Sequence, residues 1–173
     1  MKKIIIFSLC LLALALPNWR GNRWEDEKYF FSFEIPGSWQ IDPASRRRVY
    51  TNRGDGVTEF YVEVAPARKK DAPGPRTAED VARDSLKGYD SWRYVAGRSL
   101  DGAERKGADS AFSVMFNRSM LQRAAARTVQ VIAQEGYFVK GDHAITITLV
   151  TDSDTWTSAK KELLNIWNSF RVQ

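Results

Sequence analysis

"TVQVIAQEGYFVKGDHAITITLV", residues 128–150, decides the fold. Ile145, Ile147 and Leu149 alternate with Thr146 and Thr148, a period of two that lays β-branched and apolar side chains on one face of a strand. The run from Ala126 to Lys140 is of the same kind, and Gly141-Asp142 between the two suits a two-residue turn with glycine first. Long strands joined by so short a turn are antiparallel neighbours. Gly136, inside the first, is read as the mark of a bulge.

Outward from this pair, strands are expected at Arg93–Leu100 and Ala108–Asn117. Thr77 to Gly88 reads as a helix: Thr77 caps it, Glu79 and Asp80 suit its positive end, and Gly88 stops it. Ala78, Val81, Ala82, Ser85, Leu86 and Tyr89 form one buried stripe along it. A second helix begins at Asp154 or Thr155, with Trp156, Ala159, Leu163, Ile166, Trp167 and Phe170 as its stripe. Both stripes imply docking on a sheet.

Toward the N-terminus, "FFSFEIPGSWQI" at 30–41 gives a strand with Tyr29, Phe31, Phe33 and Ile35 on one face and Ser32 and Glu34 opposite. Pro36 lacks a ladder donor and Gly37 permits a turn, so the strand stops there and Trp39 folds back over the core. Arg48–Thr51, the turn "NRGDG" and "VTEFYVEVAPA" make a hairpin with Phe60, Val62 and Val64 on one side. "RKKDAPGPR" is a surface connection. The order strands, helix, strands, helix defines an α+β domain with a largely antiparallel sheet.

At 173 residues, 43% hydrophobic and 27% charged, the chain has the size and composition of one globular domain. Lys2 and Lys3 precede an apolar run from Ile4 to Leu16, too short at about 1.5 Å per residue for a bilayer core of roughly 30 Å. The run reads as a secretory signal, residues 1–15, cleaved after Ala15. Cys10 follows Leu9, where a lipobox wants a small residue, so lipidation is disfavoured. The expected division is a signal at 1–15, a flexible leader at 16–27 and the domain at 28–173. The protein is expected to be exported, periplasmic or extracellular, or anchored if the signal is kept. Loss of Lys2 and Lys3 lowers the formal charge from +5 to +3, too mild for a nucleic-acid footprint. The one cysteine leaves with the signal, which excludes disulfides, thiolate metal sites and cysteine nucleophiles from the mature chain.

"FSFEIPGSWQI", "GADSAFSVMF", the paired strands at 128–150 and the closing "IWNSF", in this order and spacing, resemble the PsbP-like family. That family includes the extrinsic PsbP subunit of photosystem II, bacterial relatives and the exported DcrB-like proteins. The resemblance implies an antiparallel sheet between helical layers, an α/β/α sandwich. It also implies a non-catalytic binding or assembly role, here in the bacterial envelope, and no metal ligand is carried over.

Other motifs are weighed on their chemistry. "TDSDTW" at 151–156 has the Asp-x-Asp of a metal-assisted hydrolase, with Asp152 and Asp154 as its carboxylates; capping of the last helix explains the same acids. His143 stands alone, without the second ligand a zinc site needs. Arg53-Gly54-Asp55 spells an integrin-type tripeptide, though a turn also requires Gly and Asp. Asn117-Arg118-Ser119 fits a glycosylation acceptor.

Arg46, Arg47 and Arg48 with Arg68, Lys69 and Lys70 form two basic clusters that would offer an anionic partner several charge contacts if they lie on neighbouring loops. The expectation is a monomer without cofactor or metal. Its partner is an envelope protein or an anionic surface, with peripheral membrane contact included and nucleic acid excluded. A second reading is a lipid or small-ligand groove built from Phe33, Tyr61 and Trp167.

Overall fold

The computed structural model describes residues 22–68, 74, 76–87, 93–122 and 127–173. In chain order the elements are β1 (Arg23–Asp26), β2 (Phe31–Glu34), β3 (Gln40–Ile41), β4 (Val49–Asn52), β5 (Glu59–Pro66) and α1 (Ala78–Leu86). Then come β6 (Arg93–Ser99), a 3-10 turn at Gly102–Arg105, β7 (Ser110–Gln122), β8 (Arg127–Lys140), β9 (His143–Asp152), α2 (Trp156–Ser169) and β10 (Arg171–Val172).

Period-two patterning gives a seven-stranded sheet in the order β3-β4-β5-β9-β8-β7-β6, with every neighbouring pair antiparallel. The hairpin that decided the fold sits near its middle. Lys140 pairs with His143 across a turn in which Gly141 has φ +54°. A second sheet, β1-β2-β10, is also antiparallel.

Alternation along the strands builds two cores, one on each face of the large sheet. Phe60, Val62, Phe138, Ile145, Ile147 and Leu149 face α2 and the small sheet, joined by Phe31, Phe33, Leu163, Ile166 and Phe170. Tyr61, Val114, Phe116, Val131, Ala133, Tyr137 and Val150 face α1 through Ala78 and Ala82. Each fully buried phenylalanine or leucine adds about 2 kcal/mol of transfer free energy. The result is the expected α+β sandwich, sheet between helical layers. Every described element lies between Arg23 and Val172, and among the described residues neither core uses one before Trp24, so a chain starting at residue 16 keeps every described core residue.

The capping of α1 follows its sequence closely. The Thr77 hydroxyl accepts from the Asp80 amide at 3.2 Å, and Asp80 accepts from the Thr77 amide at 2.9 Å. Trp39 folds back as expected: its amide donates to Pro36 O at 2.9 Å, and its indole donates to Glu162 Oε2 of α2 at 2.7 Å.

Three expectations are corrected. The leader, expected to be flexible over 16–27, contains β1, paired with β2 from Arg23↔Glu34 to Asp26↔Phe31. Its inward residues are Trp24, stacked 6.4 Å from Phe33, and the charged Asp26, so the period is hidden. Ser32 does not face solvent; it is buried and accepts from Arg23 Nη2 at 3.0 Å. Gly136 marks no bulge, because its pairing with Ser113 and Ile147 runs without a shift. A Cβ there would lie 2.7 Å from Trp167 Cη2, so the glycine makes room for the α2 indole. The irregularity falls in β6, between Tyr94 and Ala96. Residues 1–21, with the expected signal and Cys10, and Lys69, Lys70, Gly88 and Tyr89 lie outside the described residues.

Candidate functional site

The site begins with one buried carboxylate. Asp26 closes β1 facing inward, and its Oδ1 accepts from the amides of Lys28 and Tyr29, each at 3.0 Å. This side chain therefore shapes the turn at 27–30. Its Oδ2 accepts from Arg48 Nε, which fastens the turn to the segment before β4. The hydrogen bond to Asp26 holds the Arg48 guanidinium above its ordinary pKa, against the opposing effect of burial.

Arg48 is thus a structural cation. So is Arg47, whose guanidinium lies 3.6 Å over the Tyr61 ring and 5.7 Å from Tyr50, with Glu63 at 3.4 Å. Burial, then a hydrogen bond to Glu59, raises the Tyr50 phenol well above its usual range, so this aromatic wall stays neutral. Arg68 pairs with Asp142 at 3.0 Å on the surface. Arg46 is exposed and enters none of the described ion pairs.

Of the second expected basic cluster only Arg68 is among the described residues, and it lies toward the same end of the sheet as Arg46, Arg47 and Arg48. Arg48 directly precedes Val49, which pairs with Val62 of β5, and Arg68 follows the end of that strand. Tyr29 bridges the gap: Arg48 stands 5.2 Å from its ring, Lys28 Nζ 5.0 Å, and the exposed His143 meets it edge-on at 5.3 Å. Tyr29, Arg46, Arg47, Arg48, Glu63 and Val64 line an open cleft of about 520 Å³. A second cleft of about 310 Å³, with Trp24, Ile41 and Pro43 in its wall, shares Arg47 and Arg48. Sequence reasoning found the arginines; it missed Asp26, Lys28 and Tyr29, which organise them.

The remaining motifs serve the fold. Asp152 Oδ1 accepts from the Thr155 amide at 2.6 Å, at the entry to α2, while Asp154 is exposed. Among the described residues no three His, Cys, Asp or Glu side chains converge as metal ligands would. Arg53 donates to Ser158 Oγ at 3.1 Å and pairs with Glu162 at 3.5 Å. Burial raises the Asp55 carboxyl, but hydrogen bonds from Thr58 and Val57 and the charge of Arg53 hold it below the usual range overall. Both charged ends of the tripeptide are therefore engaged. Asn117 is exposed but lies within the sheet ladder, paired with Arg93 and Ile132. The expected ligand groove does not form from its three residues, since Phe33 and Trp167 belong to the α2 face and Tyr61 to the α1 face.

Solved structures share this architecture. Cyanobacterial PsbP (CyanoP) from Synechocystis sp. PCC 6803 matches with a TM-score of 0.57 and 18% identity over 87% of this chain and 91% of that one. LpqN of Mycobacterium tuberculosis, described as involved in cell envelope biogenesis, matches at 0.54 and 12%, over 83% of each chain. The Ran-binding protein Mog1p of Saccharomyces cerevisiae matches at 0.52 and 10%, over 87% and 94%. The chain has the PsbP-like fold. No protein-family model matches the sequence, and no curated protein does.

Proposed function

We propose that the protein is an exported, non-catalytic binding or assembly module of the bacterial cell envelope that engages an anionic partner through its basic end. The observation that carries this reading is the cleft of about 520 Å³ lined by Arg46, Arg47 and Arg48, of which Glu63 and Asp26 pair with the last two and leave Arg46 without a described ion pair. Arg47 and Arg48 are fixed there by Tyr61 and Asp26, so the positive surface is pre-organised and loses little side-chain entropy on binding. Lys28 and Arg46 are exposed cations beside it. The apolar N-terminal run read as an export signal, and the envelope role described for LpqN, a fold neighbour, support the location.

The test is co-sedimentation of residues 16–173 with an isolated bacterial envelope fraction, beside a Lys28→Ala, Arg46→Ala double variant. Arg47 and Arg48 are left in place because they hold the fold. Binding by the first protein and its loss in the second is the expected result. No binding, or equal binding by both, overturns the reading.

A further inference from the structure

The turn joining β1 to β2 carries an aromatic residue where its backbone penalises one. Phe30 has φ +54°, in the left-handed region where the Cβ of a bulky residue crowds the carbonyl that follows. Its side chain is 58% exposed, and among the described residues Leu164 is the one other exposed large apolar side chain. The backbone has a local use, since Phe30 O accepts from the Gln173 amide at 2.7 Å. Lys106, also at +54°, accepts from the Val172 amide at 2.7 Å, and the two carbonyls together clamp β10. Glycine or asparagine would supply that carbonyl equally well. Folding thus explains the conformation of residue 30 and not its phenyl ring.

The ring has basic neighbours. Lys28 lies two positions back in the same turn, and Tyr29 between them lines the cleft with Arg46. The turn is anchored from behind by Asp26 and Arg48, so the tip is rigid.

We propose that residues 27–30 form a membrane-docking tip: Phe30 enters the boundary between head groups and acyl chains of an anionic bilayer, while Lys28 and Arg46 meet the lipid phosphates. This rests on the reading that the basic end engages an anionic partner, and names that partner as lipid. Aromatic rings favour the bilayer interface, and nearby cations are drawn to an anionic leaflet within a Debye length. A small anion would occupy the cleft and leave Phe30 in water. A bilayer uses the ring and the cations together.

The experiment is sedimentation of residues 16–173 with vesicles of phosphatidylglycerol and phosphatidylcholine in equal parts, and with phosphatidylcholine alone. Binding to the anionic vesicles, weakened by salt, is expected, with little to the neutral ones. Phe30→Gly should lower the affinity about tenfold; its thermal melt should match or exceed that of the parent, because glycine accepts the left-handed backbone. Lys28→Ala with Arg46→Ala should remove most of the salt dependence. Equal affinity of Phe30→Gly and parent, or no binding of the parent to anionic vesicles, overturns the proposal. If the parent binds the envelope fraction yet ignores lipid vesicles, the lipid inference fails and the binding-module reading stands with a protein partner. If it ignores both, both fail.

Discussion

Two turns at one end of the molecule, in contact through Tyr29 and His143, place a residue at φ +54° with opposite side chains. The turn between β8 and β9 uses Gly141, which takes that conformation without penalty, and the side chain of its neighbour Asp142 forms an exposed ion pair with Arg68. The turn between β1 and β2 uses Phe30, which the conformation disfavours by about 1 kcal/mol. The first turn agrees with local preference, and hydrogen bonds from the Gly141 amide to Asp109 Oδ2 at 2.9 Å and from the Ala67 amide to Asp142 O at 2.8 Å add to it. The second is held by tertiary contacts: the Asp26 carboxylate, the Arg48 guanidinium and the C-terminal strand. Where local preference and structure conflict at an exposed aromatic, a role outside folding is the better explanation.

That contrast sets a ranking. Asp26→Ala leaves two amides and Arg48 without their acceptor, and should cost about 3 kcal/mol in denaturant unfolding. Asp142→Ala, at an exposed ion pair, should cost less than about 0.5 kcal/mol. Similar small costs for both would mean that the 27–30 turn holds itself. Gly136→Ala tests a glycine needed for space instead of φ: overpacking against Trp167 should cost about 2 kcal/mol. In a double-mutant cycle with Trp167→Leu the two costs should overlap; strict additivity would count against the contact.

Lys106 shares the left-handed conformation but is buried, and burial followed by the nearby Arg171 pushes its ammonium down to about 8. The unfolded chain then binds more protons than the folded one between about pH 8 and the ordinary lysine value of 10.5, so stability should rise with pH across that window. The gain should be about 1 kcal/mol after solvent screening, and Lys106→Met should flatten it. A flat profile in the parent would contradict the burial argument. Two smaller effects bear most directly on the comparison. Gly141→Ala should lose about 1 kcal/mol while Phe30→Gly gains about 0.5 kcal/mol, both by thermal melting. The same sign for both would erase the distinction between the turns.

Much of the fold was legible because its determinants are local. The period of two in β9, the Gly141-Asp142 turn, the Thr77 cap and the stripes of both helices each need only a few neighbouring residues. Parity alone separates Tyr61 from Phe60 and Val62, and so disqualifies the expected groove. The candidate site was half legible. Three consecutive arginines announce a basic surface, but which of them are engaged depends on Tyr61 and Asp26, supplied by other strands. Asp26 hid β1 because an inward charge breaks the apolar period. Phe30 was absorbed into the aromatic run that continues as β2, since a left-handed phenylalanine has no local sequence signal.

The measurement that tests the docking tip most directly is an environment-sensitive fluorophore attached at Phe30→Cys in residues 16–173, which hold no cysteine of their own. The same probe at Leu164→Cys, on the outer side of α2, is the control. Titrated with anionic vesicles, the probe at position 30 should shift to the blue and the probe at 164 should not. An unchanged spectrum at position 30, or an equal shift at 164, would contradict the assignment of the 27–30 turn as the membrane-facing end.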